Sequence, residues 1–333
     1  MPGPDFYQAT ACGQISLEPV FEPVKADLQA VQQRIVDWME AEPLPIRQRL
    51  VRLTEQPGKM IRAAVLLLSA KACGEISKDH VELAAIVEMV HLATLLHDDV
   101  IDQASVRRGS ASANALWGNT AAVLLGDLLL SKAFSLGVGL SRPEITALLT
   151  ETAEEICRGE LLQNLHRADW GLTEEQYMKI IDGKTAALFA CTAALGAKVA
   201  GARESTAEAL TQYGRQIGQA FQIRDDLLDL LSTEQQSGKT LGTDLAECKL
   251  TLPLIVWLRQ LPEKQKQAAI KNLSEGSQIP RIAEQISQSP AMQQVRKILR
   301  KFCGQASRFL TDLPDSAAKE ALSKLAEILS CPE

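Results

Sequence analysis

At two places in this chain an apolar segment runs into crowded aspartates. The first is LLHDDVID (95–102) and the second QIRDDLLDLL (222–231). On a helix, residues four apart share a face, so Asp98 and Asp102 point the same way, about 6 Å apart. Asp225 and Asp229 do the same. Like charges at that spacing repel, and an apolar helix gains nothing from them. A fold that keeps both clusters must bring positive charge to them. The plainer explanation, two solvated helix ends, accounts for one cluster better than for two that each follow apolar sequence.

The rest of the chain reads as a succession of helices. KADLQAVQQRIVDWMEA is amphipathic, and GKMIRAAVLLLSAKACG ends on a glycine stop. DHVELAAIVEMVHLATLLHDDVID is apolar on more than one face, which predicts a central, buried helix. AAVLLGDLLLSKAFSLGVG is expected to be similarly buried. Ser141 and Pro143 signal another helix start, and Thr173 is a plausible N-cap before TEEQYMKIIDGKTAALFACTAALGAKVAG. AEALTQYGRQIGQAFQIRDDLLDLLS is a further long helix, followed by the polar loop STEQQSGKTLGTDLAECK. The segment from about 260 to 333 is helical in pattern and expected to cover the core. No β alternation of any length and no inter-domain linker is visible. The expectation is a single all-α domain over 21–333 after a loose tail over 1–20.

Composition supports this reading. Aromatics are only 4% and hydrophobic residues 46%, with abundant Ala, Leu, Glu and Gln, which favour helix over strand. A net charge of −6 points away from nucleic acid as a partner. The 7 cysteines form no CxxC pair and read as free thiols of a reducing, cytoplasmic compartment. The N-terminus MPGPDFYQATACGQ lacks the pattern of a signal peptide. No run of 18 residues is continuously apolar, so no membrane span is expected.

Oxygen ligands of this kind suit Mg²⁺, which takes one or two carboxylates together with water and substrate phosphates. EF-hand spacing is absent, and no His or Cys falls at zinc-ligand spacing near either cluster. If Mg²⁺ bridges to a diphosphate, cations should surround the remaining oxygens. Lys59 and Arg62 follow Gly58, and Arg107 and Arg108 precede Gly109. Lys184 and Thr185 lie in GKTAA, Lys239 in GKTLGTD, with Asp244 and Lys249 beyond. Arginine forks match phosphate oxygens, and lysine acts as a point charge. His91, two turns before Asp98, shares nearly the same face. Taken one at a time, each of these is an ordinary surface or core residue; their number at the edges of apolar helices is the signal.

EMVHLATLLHDDVID, RRG, GELLQ, KTAALF, FQIRDDLLD, GKTLGTDL and KLTLPLI together resemble the trans-polyprenyl diphosphate synthase family, in that family's order, over roughly 25 to 260. The resemblance implies an isoprenoid-synthase-type fold, a bundle of helices around a central cavity, together with a homodimer and Mg²⁺ as cofactor, with three ions when substrate is bound. It implies isopentenyl diphosphate and an allylic diphosphate as substrates, joined by sequential 1′-4 condensation. Asp98 and Asp102, with Asp225 and Asp229, would hold metal. Arg107, Lys184 and Lys239 would contact the allylic diphosphate. Lys59, Arg62, His91 and Arg108 would hold isopentenyl diphosphate, and Thr185 and Gln222 would face the reacting carbons. The chain departs from the family pattern at Met60 and Ala63, where a basic residue and a proline are common, and at Cys248, where glycine is common.

Product length is read from the helix pitch of about 5.4 Å, close to one isoprene unit. Ala93 and Thr94, one turn before Asp98, are small and leave the tail a way past; Met89 and Val90 come next. Leu149, on the helix bearing Glu160 and Gln163, is nominated as the floor. The expectation is a product of six to ten isoprene units (C30–C50), of the kind used for quinone side chains. The competing expectations are a short-chain synthase (C15–C20), in which another residue blocks the tunnel earlier; a non-catalytic partner subunit, which predicts eroded acidic motifs; and a terpene cyclase, which predicts more aromatics and a different second motif.

Overall fold

The expected helices form, and their ends fall where the local chemistry puts them. The computed structural model describes residues 16–54, 58–107, 109–231 and 243–331. The chain runs through α1 (Lys25–Glu40), α2 (Leu44–Thr54), α3 (Ile61–Cys73), α4 (Lys78–Ile101), α5 (Asn119–Gly139), α6 (Pro143–Leu165), α7 (Glu174–Ile181), α8 (Ala187–Val199) and α9 (Glu204–Leu231). It closes with α10 (Leu252–Gln260), α11 (Glu263–Ser274), α12 (Ile279–Ser287), α13 (Pro290–Phe309) and α14 (Ala317–Ser330). Pro143 sits at the first turn of α6, where its missing N–H costs nothing. Thr173 caps α7 as expected, and Gln176 returns the bond to complete a capping box.

Several features differ from the sequence expectation. A helical turn over Glu18–Phe21 buries Val20, so residues 18–20 of the stretch expected to be a tail pack onto the core. A two-residue antiparallel ladder, β1 (Val106–Arg107) with β2 (Ser110–Ala111), follows the first cluster. The most enclosed helix is α8, buried at every position from Ala187 to Ala197, whereas α4 keeps one side on the site. And α5 is not a buried helix: Leu124 and Val138 are 61% and 62% exposed. An all-apolar composition does not say whether a helix faces its own core or something else.

Two stretches, Asn119–Gly139 and Glu174–Val199, are long and apolar enough to cross a membrane by length and composition. In the second, 83% of the most apolar 18 residues are buried, their apolar surface absorbed by the core, and in the first only 33%. Around α8 pack α3, α4 and α9, and α9 is backed by α13. The α8–α9 approach is very close: a Cβ on Gly214 would stand 2.4 Å from Phe189 O. Only glycine allows that contact.

The segment expected as one helix from 174 to 199 is interrupted by a π-helical turn at Asp182–Ala186. Such turns insert one extra residue and re-aim side chains. Gly159 of α6 lies against this turn, and a Cβ there would meet Lys184 N at 2.2 Å. Arg215 pairs with Asp182 (2.5 Å) and Glu155 (3.4 Å), and Gln219 donates to Asp182 (3.0 Å), tying the turn to α6 and α9.

Candidate active site

Asp98 lies in the last turn of α4 and Asp102 is its C-cap residue, with a helical φ of −87° that keeps the two carboxylates on one side. The π-turn delivers Lys184 between α4 and α6. Its Nζ is 2.7 Å from Glu160 and 3.9 Å from Asp98, and donates to Gln163 Oε1 at 2.8 Å. Asp102 accepts from Lys249 at 2.6 Å and from Arg167 at 3.0 Å. Lys249 and Arg167 also reach Glu247, at 2.9 and 3.6 Å. Asp98, Asp102, Glu160, Gln163, Arg167 and Lys249 line one cleft. Its volume of about 10 Å³ holds roughly one water, so these cations close directly onto the carboxylates.

The electrostatics follow from burial and crowding. Burial pushes the Asp98 carboxyl above its ordinary value, Asp102 adds to the rise, and Lys184 opposes it. Burial alone would lower Lys184, but attraction to Asp98 and Glu160 outweighs it and the ammonium is held more firmly than usual. Lys249 behaves the same way: burial is overcome by attraction to Asp244 and to Asp102. Asp244 is raised well above the ordinary range by burial and by Asp229 and Asp226. One lysine thus stands between the first cluster and the group around the second.

In the second cluster Asp225 is exposed and Asp226 buried. Asp229 accepts from the Asp244 backbone N–H at 3.4 Å. Asp226 accepts from Tyr177 Oη (2.5 Å) and from Gln222 Nε2 (2.8 Å). Gln222 Oε1 in turn accepts from Thr185 Oγ1 at 2.7 Å. Burial raises Asp226 to about 7, against the lowering effect of those two donors. Thr185 and Gln222, which the resemblance implies face the reacting carbons, are thus joined by a direct hydrogen bond between the π-turn and α9.

Other expected residues fall elsewhere. Arg107 is engaged by Asp99, through Nε at 2.8 Å and Nη2 at 2.5 Å. Neither it nor Lys59, Arg62 and His91 lines the Asp98–Asp102 cleft. Arg62 lies over the Phe189 ring at 4.6 Å. Met60, one of the departures, takes a left-handed φ of 47° ahead of α3. Ala93 is buried, and Thr94 turns its hydroxyl back onto His91 O. Leu149 is buried against Gly137, 3.0 Å from where a Cβ there would sit. Arg108 and Lys239 lie outside the described residues.

Reading the sequence missed Arg167, Asp226, Tyr177 and the Asp99 partner of Arg107. The i, i+4 spacing of Gln222 and Asp226 was a usable signal. Nothing local marks Arg167 or Tyr177, whose partners are 65 and 49 residues away.

For a divalent metal, the donor set is made of hard carboxylate oxygens. Among the described residues, no three His, Cys, Asp or Glu side chains are grouped to hold an ion by themselves. Asp98 and Asp102 fit an ion whose remaining ligands are water and substrate phosphate.

An all-α bundle with two aspartate-bearing helices around a cation-rich cleft is the isoprenoid synthase fold. A family model described as polyprenyl synthetase matches residues 45–289, and the chain belongs to that family. It is 35% identical over 317 residues to the octaprenyl diphosphate synthase of Escherichia coli K12, covering 94% of this chain and 98% of that one. Among solved structures it is similar to a decaprenyl diphosphate synthase from Rhodobacter capsulatus, with TM-score 0.88, 33% identity, and 94% and 98% of the two chains covered. It is also similar to a polyprenyl synthase from Caulobacter crescentus CB15 complexed with calcium and isoprenyl diphosphate, with TM-score 0.90, 31% identity, and 97% and 98% covered.

Proposed function

We propose that this chain is a prenyltransferase that condenses isopentenyl diphosphate with an allylic diphosphate, repeatedly, to give an all-trans polyprenyl diphosphate of six to ten units. The observation that carries this is Lys249, whose ammonium donates to Asp102 at 2.6 Å while its backbone N–H donates to Asp244 O at 2.8 Å, and the Asp244 N–H reaches Asp229 at 3.4 Å, linking the two acidic groups. The octaprenyl and decaprenyl synthases among its relatives support the chain-length range.

Asp98 and Asp102, with Asp225 and Asp229, are the residues that would hold Mg²⁺. The calcium and isoprenyl diphosphate named for the Caulobacter structure support a divalent ion beside a diphosphate in this fold. An ion held there would supply Lewis-acid charge neutralisation to the diphosphate, which would make it a better leaving group. Lys184, Lys249 and Arg167 exchange their carboxylate partners for the diphosphate oxygens. The allylic C1–O bond breaks, giving an allylic cation and diphosphate. Thr185 and Gln222 stabilise that cation. The terminal alkene carbon of isopentenyl diphosphate then forms a new bond to C1. A proton leaves the adjacent carbon for the released diphosphate. Lys59, Arg62, His91 and Arg108 are assigned to isopentenyl diphosphate, and Arg107 and Lys239 to the allylic partner. The buried α8 and α4 surfaces keep water from the cation.

A second copy of this chain is assigned to the exposed apolar surface of α5 and α6, where Leu124, Val138, Leu161 and Leu165 are 61, 62, 64 and 77% exposed. The described cysteines are all unpaired, which supports a reducing cytoplasmic location.

The test is incubation of purified protein with Mg²⁺, farnesyl diphosphate and isopentenyl diphosphate, followed by chromatography of the dephosphorylated product. Elongation by several units is expected, and Asp98→Ala and Asp225→Ala should each lose at least about 10²-fold in kcat. A product that stops at three or four units would point to the short-chain alternative. Near wild-type turnover by either variant removes the mechanism. Light scattering should give a dimer, reduced to monomer by Leu124→Glu.

A further inference from the structure

Tyr177, Asp226, Gln222 and Thr185 form an unbroken chain of hydrogen bonds across three segments, α7, α9 and the π-turn. Tyr177 Oη donates to Asp226 Oδ2, Gln222 Nε2 donates to Asp226 Oδ1, and Thr185 Oγ1 donates to Gln222 Oε1. Tyr177, Asp226 and Thr185 are all buried, 3, 4 and 5% exposed, so water does not substitute for these partners.

The direction of the chain has a chemical consequence. Both Asp226 oxygens accept, one from the Tyr177 hydroxyl and the other from the Gln222 amide hydrogen. Gln222 must therefore turn its NH₂ toward Asp226 and its carbonyl toward Thr185. The single hydroxyl hydrogen of Thr185 is then committed inward, and its free valences outward are lone pairs. An allylic cation is stabilised by lone pairs and repelled by an O–H pointed at it.

We propose that Tyr177, acting through Asp226, is a positioning residue that sets this polarity, so that Thr185 offers lone pairs and not hydrogen to the reacting carbons. The inference rests on the prenyl-transfer reading above. Asp226 is thereby separated in role from Asp225 and Asp229, which the prenyl-transfer reading assigns to metal. Without the tyrosine hydroxyl, one Asp226 oxygen loses its partner, the carboxylate is free to turn, and the Gln222 amide populates both orientations.

Tyr177→Phe removes one O–H and keeps the ring. Its kcat is expected to fall about 10-fold or more, with KM for both substrates within about twofold, because the loss is confined to the transition state. The deciding measurement is a double-mutant cycle with Thr185→Val, which removes the group that the relay orients. If Tyr177 acts through Thr185, adding Tyr177→Phe to Thr185→Val costs no further kcat. A purely structural role makes the two losses multiply, and that result, or an unchanged kcat in Tyr177→Phe, overturns the proposal. If the phenylalanine variant folds poorly, Asp226→Asn run through the same cycle measures the same coupling to Thr185. Inactivity of the wild-type protein itself would be a different result, overturning the prenyl-transfer reading and this one with it.

Discussion

Lys249 Nζ lies 2.6 Å from Asp102 Oδ2, although 147 residues of chain separate them. This contact brings the segment after the second cluster onto the end of α4, and it is one of two cations on Asp102. Lys249→Gln should therefore destabilise the metal-free protein only moderately, by about 1–2 kcal/mol, since Arg167 still covers the carboxylate. Urea unfolding in EDTA measures this. With Mg²⁺ and inorganic diphosphate present the gap should narrow, because Asp102 then has another partner. An unchanged midpoint in EDTA would show that the pair does not hold the cleft closed.

Gly159→Ala tests how Lys184 is presented. The added methyl would stand 2.2 Å from Lys184 N, in the backbone of the π-turn, so the turn must move. Overpacking of this kind costs about 1–3 kcal/mol. A Lys184 displaced from Glu160 and Gln163 is expected to lower kcat/KM far more than that stability loss alone explains. Thermal melting and steady-state kinetics on the same preparation separate the two effects.

Asp226 predicts a pH dependence of stability in the metal-free protein. The folded carboxyl keeps its proton up to about pH 7, against an unfolded value of 3.8. Between those limits the folded state binds more protons than the unfolded state. The contribution of Asp226 therefore favours folding below about pH 4 and is lost as pH rises through about 7. Melting temperatures of wild type and Asp226→Asn, compared from pH 5 to pH 8, should show wild type losing ground as pH rises. Parallel curves would contradict the assignment.

Product length is tested from both ends. Ala93 is fully buried one turn before Asp98, so Ala93→Tyr should shorten the product. Leu149→Ala opens space against Gly137 and should lengthen it. Chromatography of the dephosphorylated alcohols reads both. An unchanged distribution in Ala93→Tyr would place the tail elsewhere.

The helical class, most helix positions and the two aspartate pairs were legible in the chain because they are local. A 3.6-residue apolar period, a proline at a first turn and aspartates four apart need no knowledge of the rest of the fold. The family resemblance likewise rests on short blocks such as FQIRDDLLD and KTAALF. What those blocks do not carry is who meets whom. The sequence shows that α4 and α5 are both apolar, and only packing decides that α4 turns its apolar residues inward while α5 leaves Leu124 and Val138 outside. It shows Lys184 and Thr185, but the π-turn that aims them exists because Gly159 lets two backbones touch. And it shows two adjacent aspartates at 225 and 226, which tertiary structure divides: Asp225 is open to solvent, while Asp226 is buried and held by a tyrosine 49 residues away. Distant partners are chosen by how the helices pack, and a side chain's charge state and direction follow from the partner it meets there.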